Sequence, residues 1–123
     1  MARDSVAIQE LTLNDGVAET AGVAIAPANG ATIPAGGNTQ GLFLVVKNTA
    51  AAEYDVTVKA GDNPPALAAG QGDLVEPVAA NTGVKIITLE SARFAQDDGA
   101  IHVDFEASMT GTIHAYRLPR AVA

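Results

Sequence analysis

Four side chains in the last quarter of the chain have the types and spacing to hold a metal ion. His102, Asp104 and Glu106 stand at alternate positions of one extended stretch, and His114 stands on the next. Imidazole and carboxylate donors two residues apart share one side of a strand, which is one way a transition-metal site is assembled on a β-ribbon. The solvated face of such a ribbon, with charges paired across strands, reads the same way and is the simpler account. Asp97-Asp98-Gly99 has the acidity of a calcium loop but lacks its spaced carboxylates and distal Glu, so it reads as a turn. Gly70-Gln71-Gly72-Asp73 begins like a phosphate loop, but position 75 is Val rather than Gly and no helix follows. Serines occur at 5, 91 and 108, none in a G-x-S-x-G elbow. Carboxylate pairs are plentiful, but a sugar-cleaving cleft would also want aromatics to stack on, and the chain has two Tyr, three Phe and no Trp. With no Cys, a thiolate nucleophile, a Cys-ligated zinc, an iron–sulfur cluster and a blue-copper site are excluded. These tests support neither an enzyme nor a cofactor or resident metal.

The elements that would position these residues are short strands. Ile101, Val103 and Phe105 alternate with His102, Asp104 and Glu106, as a strand with one buried and one wet face must. Asp97-Asp98-Gly99 precedes that strand, and Ser108-Met109-Thr110-Gly111 separates it from Thr112–Leu118. Turn residues and alternation together predict a three-strand meander from Ala92 to Arg120. Upstream, Val6–Leu13 reads as a first strand closed by Asn14-Asp15-Gly16. Residues 17–41 are rich in Ala, Gly and Pro, with Ile25 and Ile33 flanking Asn29-Gly30. A short hairpin at a sheet edge is expected there, and a segment so weakly apolar is a candidate for contact with something outside the domain. Leu42–Lys47 is continuously apolar, as expected of a strand buried on both faces or lying centrally in a sandwich. Tyr54–Ala60, Asp73–Val78 and Val84–Leu89 complete the set. About eight strands at intervals of ten or so residues, with no amphipathic helix, predict an all-β fold: an antiparallel β-sandwich or jelly-roll-like barrel. Residues 1–13 are expected as an N-terminal strand or arm and 14–123 as one sandwich domain.

At 123 residues the chain can bury about two thirds of its unfolded surface, enough for one self-sufficient domain. The hydrophobic fraction of 48% overstates the core, because about a fifth of the chain is Ala. A core this thin would benefit from burying more surface against neighbours. The net charge of −7, with seven Lys and Arg scattered singly, argues against wrapping nucleic acid. No run approaches the ~20 apolar residues of a membrane span, and the start lacks the apolar core of a signal peptide. A soluble protein made in the cytoplasm, with no membrane partner, is expected. Arg93, Phe94, Tyr116, Arg117 and Arg120 stand apart, because Arg and aromatics are enriched in interface cores and most of these side chains fall in the last thirty residues.

Several stretches resemble the small head proteins of tailed bacteriophages infecting actinobacteria. They are Leu89-Glu90-Ser91-Ala92-Arg93-Phe94, Ile101–Phe105 after Asp98-Gly99, Thr110-Gly111-Thr112-Ile113, and Arg117-Leu118-Pro119-Arg120. Val45–Thr49 and Val56–Ala66 fit the same picture. The resemblance covers most of the chain from Leu42 onward and is weaker before it. It implies a capsid decoration, or cement, protein: a β domain that docks on the outside of the head, often as a trimer, where major capsid subunits meet. No catalytic residues come with it. Other phage structural roles (tail tube, head–tail or fibre base) and a carbohydrate- or protein-binding sandwich outside any virion are the alternatives.

Overall fold

The computed structural model describes residues 3–12, 14–19, 22–34, 41–61, 72–89, 94, 96 and 99–118. The chain is all-β, with strands β1 (Asp4–Ser5), β2 (Ile8–Glu10), β3 (Val23–Ala24), β4 (Ala31–Ile33), β5 (Leu42–Asn48), β6 (Tyr54–Val58), β7 (Leu74–Val78), β8 (Gly83–Thr88), β9 (Ile101–Phe105) and β10 (Gly111–Arg117). The first sheet has the order β1-β4-β9-β6-β7. The second runs β2-β10-β5-β8, with β3 paired to β10 on the same edge as β2. The two form a sandwich that does not close into a barrel. Both sheets are mixed, because β1 runs parallel to β4 and β2 parallel to β10.

Residues 4–10, expected as a strand or arm, cross from one sheet to the other. Asp4 and Ser5 pair with Ala31 and Thr32, and Ile8 to Glu10 pair with Ala115 to Arg117. Between them Val6 is buried, so this one segment closes a side of the sandwich. Arg3 anchors it by donating to the Val103 carbonyl at 2.9 Å and to Asp104 Oδ1 at 2.6 Å.

The core is a single cluster fed by alternate residues of both sheets. Leu42, Leu44 and Val46 come from β5, Ile113 and Ala115 from β10, Val56 and Val58 from β6, and Ile101, Val103 and Phe105 from β9. Each fully buried Val, Ile or Leu contributes roughly 1.5–3 kcal/mol. As expected, β5 is central, but it is not buried on both faces: its other side chains, Phe43, Val45 and Lys47, are only half-buried. Ile25, Ala31 and Ile33 lie in the core as well, so the weakly apolar stretch before β5 contributes to the inside.

Two pairings differ from expectation. The predicted meander does not form, because β9 belongs to the first sheet and β10 to the second. Residues 106–110 are therefore an arch between sheets. The Met109 amide donates to the Glu106 carbonyl at 3.1 Å, Ser108 adopts a φ of 76°, and Met109 is buried between the layers, where a hairpin tip would be wet. Of Ala92–Gln96 only Phe94 and Gln96 are described, and neither lies in a strand. In the same way the turn at Ala26–Gly30 carries the chain from β3 in one sheet to β4 in the other, rather than closing a hairpin. Alternation and turn residues are the same for an arch and a hairpin, and only the partner strand distinguishes them.

Candidate functional site: the outer face of the second sheet

The four side chains whose types and spacing could hold a metal are not brought together. His102 and Asp104 lie on the outer face of the first sheet, across from Thr32 and Thr57 respectively, whereas His114 belongs to the second sheet. Asp104 is held by Arg3 at 2.6 Å, with Lys59 at 3.9 Å. Glu106 lies beyond the end of β9, where its carboxylate accepts the Asp55 amide at 2.9 Å. Among the described residues no group of three or more His, Asp or Glu could hold a metal ion. Asp97, Asp98, Gly70 and Gln71 lie outside the described residues. Around them, the Gly99 amide donates to the Gln96 carbonyl at 2.8 Å, as in a tight turn, and Asp73 accepts the Ala60 amide at 2.6 Å and pairs with Lys59 at 2.9 Å. Hydrogen bonding to Asp73 holds the Lys59 ammonium above its ordinary pKa. These carboxylates are engaged in holding strands and loops.

Of the expected interface residues, Arg93 and Arg120 lie outside the described residues. Phe94 is buried in the core cluster and Tyr116 is buried on β10, so neither opens to the surface in the single chain. Arg117, at the end of β10, is half-buried. Tyr116 instead supports what lies beside it: its ring is 5.5 Å from that of Phe43 on the neighbouring strand.

Three of the five large exposed apolar side chains among the described residues, Val84, Ile86 and Leu118, lie on this side of the second sheet, while Val75 lies on the first sheet and Val17 on the β2–β3 connection. Register places Phe43 opposite Thr88, Val45 opposite Ile86 and Lys47 opposite Val84, all pointing away from the core. Ile86 is 65% exposed and Val84 53%, and Leu118, which continues past β10, is 54% exposed. Phe43, Ile86, Leu89 and Leu118 line a shallow apolar groove of about 400 Å³. The sequence hid this face because Val84, Ile86 and Ile87 are all apolar, and alternation does not say which of them points outward.

Charge separates the two outer surfaces. β5, β8 and β10 contain no Asp or Glu, in a chain with fourteen. Their outward cation, Lys47, is paired with Glu19 at 2.6 Å, and that hydrogen bond holds the Glu19 carboxyl below its ordinary pKa. The first sheet turns out Asp104 and Asp55, with Glu106 at the end of β9. An apolar face whose one outward cation is already paired can approach another surface with a smaller desolvation penalty than a face of free charges.

One titratable group lies inside this face. His114 is 2% exposed, with Nε2 3.2 Å from Thr112 Oγ1, Nδ1 3.4 Å from the Tyr116 hydroxyl, and its ring stacked on that of Tyr116 at 5.9 Å. Burial holds its pKa below the ordinary imidazole value, opposed by the charge of Glu19 and assisted by that of Lys47. Comparison of the chain with protein-family models, with curated protein sequences and with solved structures returned no match.

Proposed function

We propose that this chain is a structural virion protein that decorates the head of a tailed phage, docking on the major capsid protein through the outer face of its second sheet. The observation that carries the reading is the exposed apolar surface of Phe43, Val45, Val84, Ile86 and Leu118 on an acidic chain, over strands β5, β8 and β10 that contain no Asp or Glu. The resemblance of residues 42–120 to head proteins supplies the partner, and the acidic first sheet suits the solvent side of a shell better than the DNA side. In this reading the protein sits on the outer capsid surface, is made in the host cytoplasm, and assembles as a trimer where capsid subunits meet. It is a binding module and not an enzyme.

The test is co-sedimentation of the purified chain with expanded heads of an actinobacterial tailed phage, followed by electron microscopy of intact virions. Saturable binding to heads and density on the shell are expected. A chain that stays monomeric and ignores heads overturns the reading, as does labelling confined to tails.

A further inference from the structure

Asn29 is the one Asn in the sequence that Gly follows, and the fold leaves position 30 no alternative. Gly30 is buried at a φ of 71°, where a Cβ would stand 2.5 Å from Arg3 Nη1 and 2.9 Å from both Asp104 Oδ1 and the Val103 carbonyl oxygen. Any other residue there would collide with the Arg3–Asp104 pair that anchors residues 4–10 to the first sheet. The packing that demands Gly also creates a chemical hazard, because a glycine nitrogen has no side chain to shield the Asn carboxamide before it. Asn29 is half-buried in the turn between β3 and β4, and its Nδ2 donates to Asp4 Oδ1 at 3.3 Å. Its backbone N–H and that of Gly30 both donate to the Ala26 carbonyl, at 2.9 and 3.0 Å. The Gly30 carbonyl in turn accepts the Asp4 amide at 3.1 Å. The turn is thus tied to β1 by a side-chain bond from Asn29 and a backbone bond to Gly30.

We propose that Asn29 is a one-way deamidation site whose conversion loosens β1 from the first sheet. While the turn is closed, the Gly30 N–H is engaged on the Ala26 carbonyl and the Asn29 carboxamide is held on Asp4. Opening of the turn removes both restraints, and the Gly30 nitrogen, its proton given up to water, then bonds to Asn29 Cγ. The Cγ–Nδ2 bond breaks, ammonia leaves after taking up a proton from water, and a five-membered succinimide remains. Water reopens the ring at one of its two carbonyls, so that amide plus water becomes carboxyl plus ammonia with nothing oxidised or reduced. Opening at Cγ leaves Asp at 29, whereas opening at the backbone carbonyl leaves isoaspartate, with one extra methylene in the main chain. Neither product fits the closed turn. Asp puts a second carboxylate where Asp4 now accepts a donor, and like charges at this range repel. Isoaspartate lengthens a turn whose Gly30 leaves no room even for a methyl group. In both, β1 loses its hold on Ala31 and Thr32. This inference stands apart from the virion reading, since it concerns the covalent structure of the chain itself.

The experiment is peptide-mapping mass spectrometry of the full chain, incubated folded and in urea, with isoaspartate counted by enzymatic methylation. Conversion at Asn29 is expected in both, about tenfold or more slower in the folded chain, as for a reaction that waits for several hydrogen bonds to open. Asp4→Ala should raise the folded rate severalfold and leave the rate in urea unchanged. Amide hydrogen exchange then reads the consequence. The Asp4 and Val6 amides, bonded to the Gly30 and Thr32 carbonyls at 3.1 and 2.9 Å, should exchange faster in the aged chain. Asn29→Asp should speed them about fivefold more than Asn29→Ala, the effect of two unit charges about 4 Å apart in water. No conversion at Asn29 in the folded chain overturns the inference, wherever else the chain is modified. So does a folded rate equal to that in urea, or an aged chain whose Asp4 and Val6 amides exchange as before. Should Asn29→Asp fail to fold, the exchange of the aged natural chain decides the matter alone.

Discussion

Replacing Ile86 by Ser tests the docking face directly, because the structure gives the side chain little to do within the monomer. It is 65% exposed on the outward side of β8, across from Val45. Complete burial of an Ile is worth up to about 3 kcal/mol, so covering the exposed two thirds on docking is worth about 2 kcal/mol. Ile86→Ser should therefore weaken binding to phage heads by about 30-fold for each docked copy. Folding stability should change by no more than about 0.5 kcal/mol, as for other exposed positions. Val75 is the matched control: it is 52% exposed and apolar, but it sits on β7 of the first sheet, where Thr57 lies opposite it. Val75→Ser should shift binding by less than about twofold on the same scale. Sedimentation binding isotherms for the natural chain and both variants, with urea melts as the folding control, measure each quantity. A loss in Val75→Ser equal to that in Ile86→Ser, or no loss in Ile86→Ser, refutes the assignment of the face.

Four further outcomes concern the frame. Asn48 is fully buried and donates to the carbonyls of Ala52 at 2.9 Å and Val78 at 3.1 Å while accepting the Ala50 amide at 2.9 Å. Asn48→Ala should lower unfolding free energy in urea by about 3 kcal/mol, with the buried Val78 carbonyl losing its side-chain donor and a cavity left at a fully buried position. Gly111 begins β10 at a φ of 133°, and a Cβ there would overlap the Lys47 carbonyl oxygen, so Gly111→Ala must shift the β5–β10 pairing and should cost about 3 kcal/mol. Gly16→Ala, where the added methyl meets open space, should fall within about 0.5 kcal/mol in the same melts. Glu76→Val with Lys85→Val should leave the fold intact but produce concentration-dependent aggregation by light scattering, which neither Val75→Ser nor Ile86→Ser would cause.

The strands were legible because each buried face keeps its period of two: Ile101, Val103 and Phe105 point in as the pattern requires. The pairing was not legible, since Gly, Asn and Ser punctuate arches as readily as hairpins. Met109 was the one discordant residue, an apolar side chain in a supposed exposed turn, and it is buried between the sheets. The four candidate donors are separated for the same topological reason, because the arch sends His114 to a different sheet from His102 and Asp104. The interface candidates were chosen by residue type. Burial then places Phe94 in the core and covers Tyr116 on the outer side of β10, while Val84, Ile86 and Leu118 stay exposed; for Val84 and Ile86 that depends on which side of β8 faces the core.

The open sides of the sandwich bear on why the proposed docking uses a face rather than an edge. On one side, residues 4–10 cap the edges of both sheets. On the other, β7 and β8 are both edge strands, and an unprotected edge would recruit strands from any neighbour. Each carries a charge on its inward side: Glu76 stands opposite buried Val56, and Lys85 opposite buried Val46. The two approach to 3.7 Å, across the mouth of the core. Pro77 removes one amide donor from β7 as well. A strand added to either edge would press against these charges and desolvate them, a penalty that generic strand pairing would not offset. A partner that meets the flat outer face of β5 and β8 leaves Glu76 and Lys85 undisturbed and covers Val84, Ile86 and Leu118. The same arrangement that guards the edges thus leaves the outer side of β5, β8 and β10, strands with no Asp or Glu of their own, for the association proposed above.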